Sequence, residues 1–144
     1  MSLPGLPPAA TRDVVIDTNC VLDLWVFNDP GATGLLRDVA DGRVRWCATP
    51  AMRDELARVL TYPLIATRLH AIALPADAVL AKFDAHAQQA PDAAPCAVRC
   101  RDADDQMFVD LAAQQRAMLV SKDARVIELG RRLTPLGVQV MKPW

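Results

Sequence analysis

Apolar residues follow two rhythms along this chain, and their alternation predicts an α/β order of elements. Short continuous runs, Val14-Val15-Ile16 and Met118-Leu119-Val120, have the length of buried strands. Residues 43–49 set Val44, Trp46 and Ala48 against Arg43, Arg45 and Cys47, the period of two of a strand. Residues 96–100 and 138–141 predict two further short strands. Helical spacing fills the intervals. Residues 19–27 carry Val21, Leu22, Leu24, Trp25 and Val26 and run into the breaker Asn28-Asp29-Pro30-Gly31. Residues 32–41 show Leu35, Leu36 and Val39 on one face, with Gly42 where a helix C-cap glycine stands. Pro50 opens a helix over 51–60 at its first position, with Met52, Leu56, Val59 and Leu60 as the stripe. Further helices are predicted at 63–70, at 75–89, after Asp105, and at 124–129, where Gly130 ends the last. Strands alternating with helices predict a three-layer α/β/α domain with a mainly parallel central sheet.

Composition narrows what such a domain can be. The chain has 144 residues, half of them apolar, and this suits one domain with a substantial core. A leader over residues 1–12, rich in proline and lacking a basic start and a long apolar stretch, is expected ahead of a single domain at 13–144; it does not read as a signal peptide. No apolar run approaches the ~20 residues of a membrane helix, so a soluble cytoplasmic protein is expected. The four cysteines, Cys20, Cys47, Cys96 and Cys100, are expected as reduced thiols of the core, since no second pair or histidine completes a zinc set. A formal net charge of −1 excludes a global basic field, so contact with a polyanion must be local.

Acids stand where the strands stop. Ile16 runs into Asp17, Thr18 and Asn19, and Val120 into Ser121, Lys122 and Asp123. Open α/β sheets bind ligands at that edge, which makes Asp17 and Asp123 candidates. Glu55 lies on the flank of its helical stripe while Asp54 points away; taken alone, Glu55 reads as a solvated acid paired with Arg58. Asp102, Asp104 and Asp105 crowd a helix N-terminus, where capping and the helix dipole account for the first two. Asp105 differs, because Phe108 and Ala112 follow it on the core-facing side. A carboxylate aimed inward needs a partner, and a cation is the most economical one. His70 and His86 lack neighbours at ligand spacing and read as surface or satisfied core residues.

Four stretches together resemble the motifs of PIN-domain ribonucleases, over nearly the whole chain after Arg12. They are Val14 through Asn19; Thr49-Pro50 with Glu55-Leu56 and Val59-Leu60; Asp102-Ala103-Asp104-Asp105 with Phe108 and Leu111-Ala112; and Leu119 through Asp123. The likeness is greatest to the branch of toxin components of toxin–antitoxin pairs, related to VapC-type toxins. It implies that Asp17, Glu55, Asp105 and Asp123 fill the acidic catalytic and metal-binding positions, with Asn19, Ser121 and Asp102 in support. It also implies RNA as substrate, an antitoxin protein as partner and a homodimer as a further association; no membrane partner is expected, for want of a long apolar run. Two departures from the family pattern are Lys122 before the last acid, where glycine or arginine is common, and an end at Trp144, where relatives often continue.

The chemistry of the acids points the same way. Four carboxylates cannot converge ionised without opposing charge, and oxygen-only donors select Mg²⁺ or Mn²⁺ over zinc. Such ions make metal-dependent hydrolysis of a phosphodiester the expected reaction. Near-neutral charge then requires local cations to hold RNA. Arg53, Arg99, Arg101 and Lys122 are the candidates, followed by Arg58, against the alternative that they only balance nearby acids. Two other classes stay open: a receiver or phosphatase-like domain with Asp17 as phosphate acceptor and Lys122 as its partner, and a noncatalytic module that holds a cation and docks a partner. The first leaves Glu55 and Asp105 without a role.

Overall fold

The computed structural model describes residues 11–144. Most of the expected leader therefore lies outside the described residues; Arg12, its last residue, opens the first strand. The strands are β1 (Arg12–Ile16), β2 (Val44–Ala48), β3 (Gln88–Gln89), β4 (Met118–Val120) and β5 (Val140–Met141). They form one sheet in the order β3-β2-β1-β4-β5, every pair parallel. Val14, Val15 and Ile16 are all buried, so both faces of the central strand are covered, as a parallel sheet between helical layers requires.

The helices are α1 (Thr18–Trp25), α2 (Thr33–Ala40), α3 (Pro50–Val59), α4 (Pro63–Ala71), α5 (Ala76–His86), α6 (Gln106–Gln115), α7 (Ala124–Ile127) and α8 (Gly130–Leu133). Their starts follow local chemistry. Asp17 caps α1 through the Cys20 N–H, Thr49 caps α3 ahead of Pro50, and Asp123 caps α7 through the Arg125 N–H. Gly42, at φ +70°, takes the left-handed position just past α2 that the sequence assigns to it. Helix α6 packs on β1 and β4, α2 on β2, and α3 on α5. In the core Trp46 stacks between Trp25 and the edge of Phe83, with ring centroids 5.5 and 5.0 Å away. Trp144 docks on α2, where its Nε1 donates to Asp38 and its carbonyl accepts from Leu35 N–H. A Cβ at Gly34 would fall 2.8 Å from the Trp144 ring, so only glycine permits this approach. No single helix among the described residues is long and apolar enough to cross a membrane.

Three expected elements differ. Residues 96–100 are not a strand, because side chains of α6 claim their backbone instead: Cys96 N–H donates to Asp110 Oδ1, Cys100 N–H to Gln106 Oε1, and Gln106 Nε2 to Val98 O. The helix expected over 75–89 stops at His86, and Gln88 and Gln89 pair with β2 as the edge strand. Gly130 likewise starts α8 rather than ending a helix, and Cys96 and Cys100 are half-buried while Cys20 and Cys47 are buried, all four free.

Candidate metal centre

The strand order reverses at β1, which has β2 on one side and β4 on the other, and the crevice at such a switch point opens at the carboxyl ends. Ile16 is in register with Val120, so the residues following them are neighbours across the sheet. Asp17 N–H continues the ladder to Val120 O at 3.1 Å. The Ser121 hydroxyl then donates to Asp17 Oδ2 and accepts from Asp123 N–H at 3.1 Å, tying the two strand-end acids together. Asp17 is 4% exposed, and burial raises its pKa while the bonds from Ser121 and Cys20 oppose the rise.

Among the described residues the tightest carboxylate group is Asp102, Asp105 and Asp123, with one oxygen from each lying within 4.8 Å of the others. Asp102 is held by its capping role, accepting from Asp104 N–H at 2.9 Å. Asp105 ends the 3-10 turn Ala103–Asp105 and enters the crevice from the start of α6. Its Oδ2 is buried with no hydrogen-bond partner. Burial first, then the charges of Asp123, Asp102 and Asp17, push this carboxyl up to about 7. Asp17 and Glu55 stand outside the triad, so Asp102, expected only in support, lies closer to Asp105 and Asp123 than the arrangement read from the sequence.

Glu55 reaches the site from α3 and accepts a hydrogen bond from the Thr18 hydroxyl. Burial raises its pKa, the Thr18 bond and the Arg58 charge lower it, and the charges of Asp104 and Asp17 raise it. Glu55 is thus held by Thr18, with Arg58 acting on it only through its field. Asn19 is exposed and lines a cavity of about 310 Å³ with Leu22, Asp23, Phe27, Ile65, Lys122 and Asp123. Asp54 and Asp104 are exposed, and Asp110 holds the Cys96 and Gln106 amides.

Of the five proposed RNA-binding cations, four face an acid, while Arg58 makes no salt bridge among the described residues. Arg53 makes a two-bond pair with Asp84, and Arg101 with Glu128. Lys122 pairs with Asp23 and, at 3.9 Å, Asp29, and not with Asp17, whose partner it would be in a receiver-like domain. Of these four Arg99 is held least, 3.9 Å from Asp110 with its side chain 61% exposed. Two site residues were not anticipated: Thr18, whose only signal is its place beside Asp17, and Arg125. The Arg125 guanidinium meets both oxygens of Asp123 and, at 3.0 Å, Asp102, and its hydrogen bonds hold the Asp123 carboxyl below its ordinary value.

An acid cluster at the switch point of a parallel sheet can be compared with known families. Residues 13–125 match the family model described as PIN domain. The chain belongs to the PIN domain family. The structure of this PIN domain is also similar to a chain in the crystal structure of VapBC2 from Rickettsia felis bound to a DNA fragment from their promoter. The identity is 12% and the TM-score 0.60, over 90% of this chain and 98% of that one. No curated protein matches the sequence.

The donor set suits a hard divalent cation. It is all oxygen, it is acidic, and the buried Asp105 Oδ2 without a hydrogen-bond partner is the feature a cation would satisfy.

Proposed function

We propose that this PIN domain is a ribonuclease that hydrolyses RNA phosphodiester bonds with the help of Mg²⁺ or Mn²⁺, and that it acts in the cytoplasm as the toxin of a toxin–antitoxin pair. The observation that carries the reading is the triad of Asp102, Asp105 and Asp123, with its unpartnered Asp105 oxygen, at the switch point beside Asp17. Asp105 and Asp123 would hold the ion with Asp102, while Asp17 and Glu55 supply charge from the strand end and from α3. A cation bound there acidifies water and offsets negative charge on the phosphate. Ser121 fixes the Asp17 carboxylate toward Asp123, and Thr18 fixes Glu55, so neither acid needs to reorganise when substrate arrives.

Incubation of a mixed RNA pool with the purified protein tests the first part. Cleavage is expected with Mg²⁺ or Mn²⁺, loss of cleavage in EDTA, and a drop of orders of magnitude in Asp17→Asn or Asp123→Asn with the fold retained. Cleavage that survives EDTA or both substitutions would sink the reading. Exposed apolar residues support the partner part: Phe27 is 42%, Tyr62 48% and Leu64 84% exposed, and Phe27 and Ile65 share the cavity beside Asp123. An antitoxin covering them would close the site. Induced expression of the chain should arrest bacterial growth and Asp105→Asn should not; growth under both would remove the toxin role and leave the hydrolase in place.

A further inference from the structure

Three of the four carboxylate oxygens of Asp102 and Asp123 accept an N–H, and the fourth, Asp102 Oδ2, sits in an ion pair. Asp102 receives Asp104 N–H on Oδ1 and the Arg125 guanidinium on Oδ2, at 2.9 and 3.0 Å. Asp123 receives Arg125 N–H and Nε on Oδ1, at 2.8 and 3.1 Å, and a terminal guanidinium nitrogen on Oδ2 at 2.9 Å. Two of these donors are backbone groups fixed by the helix caps. The others belong to one side chain, Arg125, which is 46% exposed on a flexible stem. Arg125 thereby neutralises two members of the triad and leaves the third, Asp105, with a buried oxygen that nothing satisfies. A planar guanidinium suits two carboxylates side by side.

We propose that Arg125 is the protein's own counter-ion in this site and changes places with the divalent cation: it clamps Asp102 and Asp123 when the metal is away, and grips an RNA phosphate at the rim when the metal is bound. The inference rests on the metal-dependent reading above. A guanidinium and a divalent ion cannot share the same small volume, because like charges a few ångströms apart repel strongly even at a protein surface. The group able to yield is the exposed side chain, not the backbone caps. Once displaced it remains tethered two residues from Asp123, beside the bond to be cut, as a bidentate phosphate donor. Arg125 is a positioning residue in the metal-free protein and a substrate contact in the loaded one.

The two halves predict changes of opposite sign in one variant. Mn²⁺ affinity, measured by electron paramagnetic resonance, should rise by about tenfold or more in Arg125→Ala, since a close positive charge has gone. RNA affinity at saturating Ca²⁺ should instead fall, and the slope of log K against log salt should shrink by about 0.7, the share of one phosphate contact on a single strand. Arg125→Lys, which keeps the charge and loses the fork, should fall between. A purely structural role for Arg125 would weaken both affinities together, and that outcome overturns the inference, as does unchanged Mn²⁺ or unchanged RNA binding in Arg125→Ala. Asp105→Asn separates this from the parent reading. If wild type and Arg125→Ala bind Mn²⁺ equally and Asp105→Asn does not, only the exchange is wrong; if none of the three binds Mn²⁺, the metal centre falls and the exchange with it.

Discussion

Asp105 and Thr18 carry the sharpest consequences at the scale of single residues. The Asp105 carboxyl lies at about 7 when folded against 3.8 in the free side chain, so between these values the folded protein binds protons that the unfolded chain has released. Stability of the metal-free protein should therefore fall as pH rises from about 4 to about 7, because it declines wherever the native state holds more protons. Asp17 and Glu55, also raised by burial, add to the same slope. Asp123 works in the opposite sense, since Arg125 lowers it; its contribution is present above the ordinary carboxylate value and is lost only as pH drops further. Melting temperature followed over pH 4 to 7 in EDTA should decline, and Asp105→Asn should flatten the curve. A rise across that window in the wild type would contradict the burial of Asp105 among like charges. Thr18 acts through Glu55. Thr18→Val removes a charge-assisted hydrogen bond of about 1.5–3 kcal/mol while keeping the shape, so RNA cleavage should drop about tenfold or more, and Thr18→Ser should restore it. Equal rates in Thr18→Val and wild type would show that Glu55 needs no such support.

Helix α6 organises the site at the scale of elements, because it delivers Asp105 at its start and uses Gln106 and Asp110 to hold the preceding segment. Gln106 accepts from Cys100 N–H and donates to Val98 O, fixing the backbone just before Asp102. Replacing Gln106 with Leu leaves the half-buried Cys100 N–H without its acceptor, at about 1–3 kcal/mol, and takes from Val98 O one of its two donors. The expected result is a lower melting temperature and faster hydrogen exchange at Cys100, with Mn²⁺ affinity reduced as Asp102 loses its anchor; unchanged exchange at Cys100 would rule this out. The same segment marks where the sequence stops being legible. Residues 96–100 have strand-like composition, but their hydrogen bonds go to side chains that follow six to fourteen residues later, which periodicity does not register. Gln88 and Gln89 fail in the other direction, a strand of two exposed glutamines with no apolar pattern. By contrast β1, β2 and β4 were legible, because buried parallel strands need continuous apolar runs or half-buried alternation. The acids at their ends were legible for the same reason: an apolar run that stops at Asp17 or Asp123 places that acid at the sheet edge. The clamp by Arg125 was not, since it joins Asp123 to Asp102 across the fold.

Charge is the property that belongs to the whole molecule. With 16 basic and 17 acidic residues, the RNA binding proposed above has to run through cations that are free to act. Arg53 and Arg101 are each locked in a two-bond pair with an acid, and such a pair presents almost no net charge to a phosphate. Surface pairs of this kind are worth about 1 kcal/mol or less, so they do little for stability, yet opening one would leave Asp84 or Glu128 bare in the field of the RNA. Arg99 is different: its contact to Asp110 spans 3.9 Å, and Asp110 is already occupied by the Cys96 and Gln106 amides. Counter-ion release depends on cations that neutralise phosphates, each adding about 0.7 to the salt slope on a single strand. Arg99→Ala should therefore lower the slope by about that amount, while Arg53→Ala and Arg101→Ala leave it nearly unchanged. The measurement is RNA affinity over a salt series in Ca²⁺, with the three variants side by side. Equal losses of slope in all three would mean that the ion pairs open on binding and that the rim acts as one basic surface; a change confined to Arg99 would place the RNA along the segment that leads from Cys96 to Asp102.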